Sequence, residues 1–189
     1  MTAIAAVMRR PLETSILMKA TWVGMISPGD RTMTHASGDE AHRLLYLEDL
    51  HVGQRFTTGE HALDEGQVIA FASQFDPQPF HLDAAAARNT VFEGLVASGW
   101  HTAAITMRLL VSGGLPIAGG LVGRAGEISW PKPTRPDDVL RVDSEVLEIT
   151  PSRSRPERGM VKVRSETRNH RGEVVQVLVA SLVVPRRPS

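Results

Sequence analysis

The stretch Ser98-Gly99-Trp100-His101-Thr102-Ala103-Ala104-Ile105-Thr106-Met107-Arg108-Leu109-Leu110-Val111 decides the fold. It carries no proline and is bounded by Ser at its start and by Ser112-Gly113-Gly114 at its end, so it predicts one long helix. Trp100, Ala103, Ala104, Ile105, Met107, Leu109 and Leu110 make it apolar nearly all round, the pattern of a buried helix rather than a surface one. The chain beyond this helix reads as strands. Leu121 to Trp130 is one. Val139 to Ile149 is a second, with Leu140, Val142 and Val146 alternating with Arg141, Asp143 and Glu145. In a third, Val161, Val163, Ser165 and Thr167 alternate with Lys162, Arg164, Glu166 and Arg168. Asn169-His170-Arg171-Gly172 is a turn, and Val174 to Val184 is a nearly continuous apolar run, as expected of a strand covered on both faces. One buried helix against an antiparallel sheet is an α+β arrangement.

Upstream, Asp64-Glu65-Gly66-Gln67 reads as a helix start, with an acidic N-cap and Gln at the third helical position. Val68, Phe71, Ala72 and Phe75 then share one face. Pro77 ends this helix, which leaves Asp76 at its C-terminal edge. The segment Asp76-Pro77-Gln78-Pro79-Phe80-His81 holds a carboxylate and an imidazole five positions apart on a backbone stiffened by two prolines. An acid and a histidine sharing one water molecule are what adding water to, or removing it from, an unsaturated acyl compound requires. Taken alone, such a pair is equally a helix-end aspartate beside a satisfied loop histidine. Asp83 opens a short alanine-rich turn.

The same residues resemble the hydratase-2 motif of the MaoC-like dehydratases, the family that includes (R)-specific enoyl-CoA hydratases. Asp76, Pro79, Phe80, His81 and Ala87 fall in register with it; Phe75 and Gln78 depart from the usual Gly and Asn. A second match is Phe92-Glu93-Gly94-Leu95-Val96-Ala97-Ser98-Gly99-Trp100-His101, where the family places a glycine whose backbone N–H faces the thioester carbonyl; Gly99 fits that place, and Ser98 stands where many members have His. The resemblance covers roughly residues 45 to 185. It implies a single hotdog fold, an antiparallel sheet wrapped around one long buried helix. It also implies a homodimer or higher homo-oligomer with its acyl tunnel at the subunit interface, and a catalytic pair Asp76 and His81.

The resulting expectation is a hydro-lyase that interconverts trans-2-enoyl-CoA and (R)-3-hydroxyacyl-CoA. Ser98, Gly99, Gln78 and Trp100 would bind substrate, and coenzyme A would enter only as part of the substrate, with no cofactor and no metal. Gly99 at a helix N-terminus offers a free donor to the thioester oxygen, where negative charge develops. Ser98 also reads as a plain N-cap, and Trp100, Phe75 and Phe80 as core aromatics. His101 reads as a buried structural histidine. Which of Asp76 and His81 takes the proton from water stays open. The runner-up readings are a hotdog acyl-CoA thioesterase and a non-catalytic acyl-CoA-binding hotdog subunit.

Composition sets outer limits. The 189 residues are 42% hydrophobic and 22% charged, with zero formal net charge, a pI near 7.1 and no cysteine. No overall field attracts nucleic acid or an anionic membrane, and no apolar run is long enough for a bilayer. Disulfides and thiolate metal sites are excluded, and a cytoplasmic location fits. Paired histidines at helical spacing and glycine-rich nucleotide motifs are lacking. Any phosphate must therefore meet local cations, for which Arg88, Arg124, Lys132 and Arg135 are available; the basic Arg153-Ser154-Arg155-Pro156-Glu157-Arg158 reads as a surface hairpin loop. Residues 1–42 share little with the domain at 43–186 and read as a disordered tail or an over-extended reading frame, with Met8, Met18, Met25 and Met33 as later starts. Arg9-Arg10 is the hint of a targeting signal instead, though Lys19 interrupts the apolar stretch after it.

Overall fold

A computed structural model describes residues 43–188; the expectations for residues 1–42 lie outside it. After a 3-10 turn at Leu47–Asp49 come β1 (Arg55–Ala62), α1 (Glu65–Phe75), α2 (Pro79–Leu82), α3 (Ala84–Ala87) and α4 (Gly99–Leu109). A π-type turn at Leu110–Gly114 comes next, then β2 (Val122–Ser129), β3 (Val139–Pro151), β4 (Arg158–Arg168) and β5 (Val174–Pro185). The five strands form one antiparallel sheet in the order β1-β3-β4-β5-β2. α4 lies across one face of it. This is the hotdog arrangement, α+β.

The sheet obeys the period-two pattern. Leu140, Val142 and Val146 of β3 and Val161 and Val163 of β4 are buried and join Ile105 and Leu109 of α4 in one core. Each such side chain contributes roughly 1.5–3 kcal/mol by leaving water. The charged alternates of β3 and β4 face outward and pair with one another, as Arg168 does with Asp143 at 3.8 Å. Asn169 to Gly172 forms the β4–β5 turn, closed by Gly172 N–H on the Asn169 carbonyl at 2.9 Å, with Gly172 at φ +77°.

Four features differ from the sequence reading. α4 is two-faced rather than buried all round. His101, Thr102, Ile105, Thr106 and Leu109 are buried, while Trp100, Met107 and Val111 are 62%, 43% and 59% exposed. Threonine can take the inner face because its hydroxyl finds partners there: Thr102 bonds Thr134 at 3.0 Å, and Thr106 bonds the Thr102 carbonyl at 2.8 Å and Thr167 at 2.6 Å. Phe75, at the frayed end of α1, is exposed instead of packed. β1 has no counterpart in the sequence reading; as an edge strand it hides little beyond Thr58, so its alternation is faint. β5 is covered on both faces only in part: Val175, Gln176, Leu182 and Val184 are buried and the rest of the strand is half-buried.

Candidate active site

The acid–imidazole pair is built by local chain chemistry. Asp64 caps α1 by accepting from Gln67 N–H at 2.7 Å, and Pro77 stops the helix, so Asp76 becomes its C-cap with its own N–H on the Ala72 carbonyl at 2.9 Å. Pro79 then occupies the first position of α2, where a missing N–H costs nothing, and this short helical turn carries His81. The two side chains converge: His81 Nε2 lies 3.3 Å from Asp76 Oδ2.

Each partner is held from behind. Asp76 accepts from Ser98 Oγ at 2.7 Å on one oxygen and from Gln78 Nε2 at 2.7 Å on the other. The Ser98 bond chiefly holds its carboxyl below the usual carboxylate range; partial burial opposes this, and Gln78 and the His81 ring add to the lowering. His81 is buried, and its Nδ1 lies 2.8 Å from the Val96 carbonyl. A carbonyl can only accept, so Nδ1 carries hydrogen and Nε2 is the nitrogen turned toward Asp76. Oδ2 and Nε2 thus lie side by side, close enough for one water to touch both.

The pair opens into a cavity of about 610 Å³, also lined by Gln78, Gly99, Trp100 and Trp130. That size suits a small-molecule site. Gly99 is the first residue of α4, and among the described residues its N–H meets no backbone or side-chain acceptor. Packing also requires a glycine there, since a Cβ would lie 2.8 Å from the Trp130 indole. Trp130 is in turn fixed by its Nε1–H on Gln176 Oε1 at 2.9 Å, and Gln176 donates to Thr106 Oγ1 at 3.0 Å. Trp100 stands edge-on to Trp130, with ring centres 5.6 Å apart.

Asp76, His81, Gln78, Gly99 and Trp100 therefore come together. Ser98 does not line the cavity. It is 1% exposed, accepts from Trp100 N–H at 3.2 Å as the N-cap of α4 and donates to Asp76, so it stands behind the acid rather than beside a ligand. Trp100 is no core aromatic; it is exposed at the cavity mouth. His101 keeps its structural reading: it stacks on Phe71 at 4.5 Å, and burial, with a smaller push from His61, lowers it to about 4. Lys132 and Arg135 also line the cavity but have partners, Glu173 at 2.6 Å and the Phe92 carbonyl at 2.6 Å. Sequence reasoning missed Trp130 and Gln176. Gln176 did leave a signal, as a lone amide inside the apolar run of β5.

Comparison with known proteins agrees with this architecture. The MaoC like domain family matches residues 49–169, and the chain belongs to that family. A crystal structure of a MaoC-like dehydratase from Rhodospirillum rubrum is 59% identical, covering 77% of this chain and 99% of its own, with a TM-score of 0.76. The unliganded R-hydratase PhaJ1 of Pseudomonas aeruginosa is 27% identical over 75% of this chain and 86% of its own, with a TM-score of 0.62. The 3-hydroxybutyryl-CoA dehydratase of Methylorubrum extorquens is 32% identical over 60% of this chain and 71% of its own length. Among the described residues no helix is long and apolar enough to cross a membrane.

Proposed function

We propose that this protein is a hydro-lyase that interconverts a trans-2-enoyl thioester and a 3-hydroxyacyl thioester. The observation that carries the reading is the 3.3 Å approach of His81 Nε2 to Asp76 Oδ2 at the wall of a cavity that Gly99 also lines. With the His81 ring in its neutral form, a water touching both atoms can donate a hydrogen to the pair and turn an oxygen lone pair toward the ligand. Attack at Cβ pushes electrons onto the thioester oxygen, where the Gly99 N–H, at the positive end of α4, stabilises the charge. The proton taken from water by the Asp76–His81 pair then returns to Cα, so the reaction balances within the site. Dehydration is the same path reversed.

The names of the Methylorubrum dehydratase and the Pseudomonas R-hydratase support coenzyme A as the carrier and the (R) hydroxy product. The working unit in this reading is a homodimer. Among the described residues, Trp100, Ala104, Met107 and Val111 form one exposed stripe on α4, and the outer edge of β2 has no paired strand; a second copy would cover both. Purified protein with crotonyl-CoA tests the proposal. Enoyl absorbance should fall without release of free thiol, and chiral analysis should return the (R) product. Thiol release would indicate hydrolysis of the thioester instead, and stable absorbance with tight binding would indicate a non-catalytic acyl-CoA protein.

A further inference from the structure

Opposite the candidate active site, the turn between β3 and β4 and the far end of β2 enclose a second polar cavity of about 380 Å³. Arg124, Arg155 and Arg158 line it together with Ser152 and Ser154. It shares no lining residue with the Asp76–His81 cavity. Met160 and Val183, paired across β4 and β5, floor it, whereas their neighbours Val161 and Leu182 point into the core, so it lies on the outer face of the sheet.

Its charge is unbalanced, whereas eight arginines elsewhere among the described residues are paired. Arg43, Arg55, Arg141, Arg164, Arg168, Arg171, Arg186 and Arg187 each reach a carboxylate. Among the described residues no carboxylate comes within 4.0 Å of Arg124 or Arg155, and Arg158 has only Glu157 at 4.0 Å. Three guanidinium groups around one cavity repel one another, and an anion between them relieves that repulsion. The hairpin is held by short-range bonds: Ser152 Oγ accepts from Arg155 N–H at 3.1 Å, which leaves its own hydrogen to donate, and the Arg155 carbonyl accepts from Arg158 N–H at 3.2 Å. Planar guanidinium forks with hydroxyl donors match the several oxygens of a phosphate ester, and the volume exceeds what a single carboxylate would fill.

We propose that Arg124, Arg155 and Arg158, with Ser152 and Ser154, form a binding site for a phosphate or diphosphate group. Two sources share this chemistry, a free phosphorylated metabolite and the nucleotide end of the substrate. The second rests on the hydratase reading and on its homodimer. β2 runs from Val122 near this site to Ser129 beside Trp130, so pairing two β2 edges antiparallel brings one copy's Arg124 end toward the other's active-site end.

The full-length protein is titrated calorimetrically with pyrophosphate and with adenosine 3′,5′-bisphosphate. Arg124→Ala/Arg155→Ala should weaken both by about tenfold or more, as expected for lost charge-assisted bonds. Arg108→Ala, which removes an exposed charge on α4, should leave them unchanged. No binding by the wild-type protein, or equal weakening by Arg108→Ala, overturns the site. Kinetics separate the sources. A raised KM for crotonyl-CoA in the double variant, with crotonyl-pantetheine unaffected, assigns the site to the substrate's nucleotide; an unchanged KM with pyrophosphate binding lost assigns it to a free phosphorylated compound. Absence of any turnover counts against the hydratase reading alone, because the titrations still decide the site.

Discussion

His81 and His101 are hidden to nearly the same degree, at 5% and 7% exposure, in two neighbouring regions of one domain. Their surroundings differ in kind. His81 has a carbonyl on one nitrogen and a carboxylate near the other, and it borders a cavity. His101 lies flat on Phe71, and its Nδ1 has no partner among the described residues. Burial by itself only drives a histidine neutral, as in His101. What makes an imidazole useful is an oriented partner on each nitrogen, and that comes from the proline-braced turn and from the carbonyl of Val96.

The contrast can be broken most sharply at the dyad. Asp76→Asn and His81→Ala should each lower kcat for crotonyl-CoA by about a hundredfold or more, the scale of a general acid/base, with circular dichroism confirming the fold. A comparable loss in His101→Phe would erase the distinction. Gly99→Ala comes next. Its Cβ must displace the Trp130 ring, and a shift of the α4 tip should cost about 10–100-fold in kcat/KM. Gln176→Leu leaves the Trp130 Nε1–H and the Thr106 hydroxyl short of a partner, so chemical denaturation should show a loss of about 1–3 kcal/mol with only a modest rise in KM.

Ser98→Ala removes both an N-cap and the main group that lowers Asp76. Stability should fall by about 1 kcal/mol, and the acid limb of kcat/KM that belongs to Asp76 should move to higher pH. The smallest effect sharpens the other side of the comparison. The folded-state value of His101 is lowered from 6.5 to about 4, so its contribution to stability is complete above pH 6.5 and is lost as pH falls toward 4. Replacing it with Phe, which keeps the stack on Phe71, should flatten the dependence of Tm on pH across that window. An unchanged slope would show that His101 is not the group responsible.

Where physics acts within a few residues, the sequence was readable. Asp64 before Gln67, Pro77 after Asp76, and the alternation of Val161 to Arg168 each fix their own local structure, and Asp76 and His81 then meet at one cavity. The failures are long-range. Nothing near Trp130 reveals that it will rest on Gly99, because its anchor Gln176 lies 46 positions away. Counting apolar residues along α4 could not tell its inner threonines from its outer Trp100 and Met107, since the hydroxyl partners Thr134, Thr167 and Gln176 come from distant segments. Gly99 does open α4, and its nearest constraint, an indole from a distant strand end, was not legible locally.

That indole gives the molecule a built-in optical reporter. Two of the chain's three tryptophans, Trp100 and Trp130, line one cavity edge to face, the second tied to an amide. A ligand settling there would press on the indoles, so the natural emission of the unlabelled protein should report occupancy directly, even in variants that no longer turn anything over.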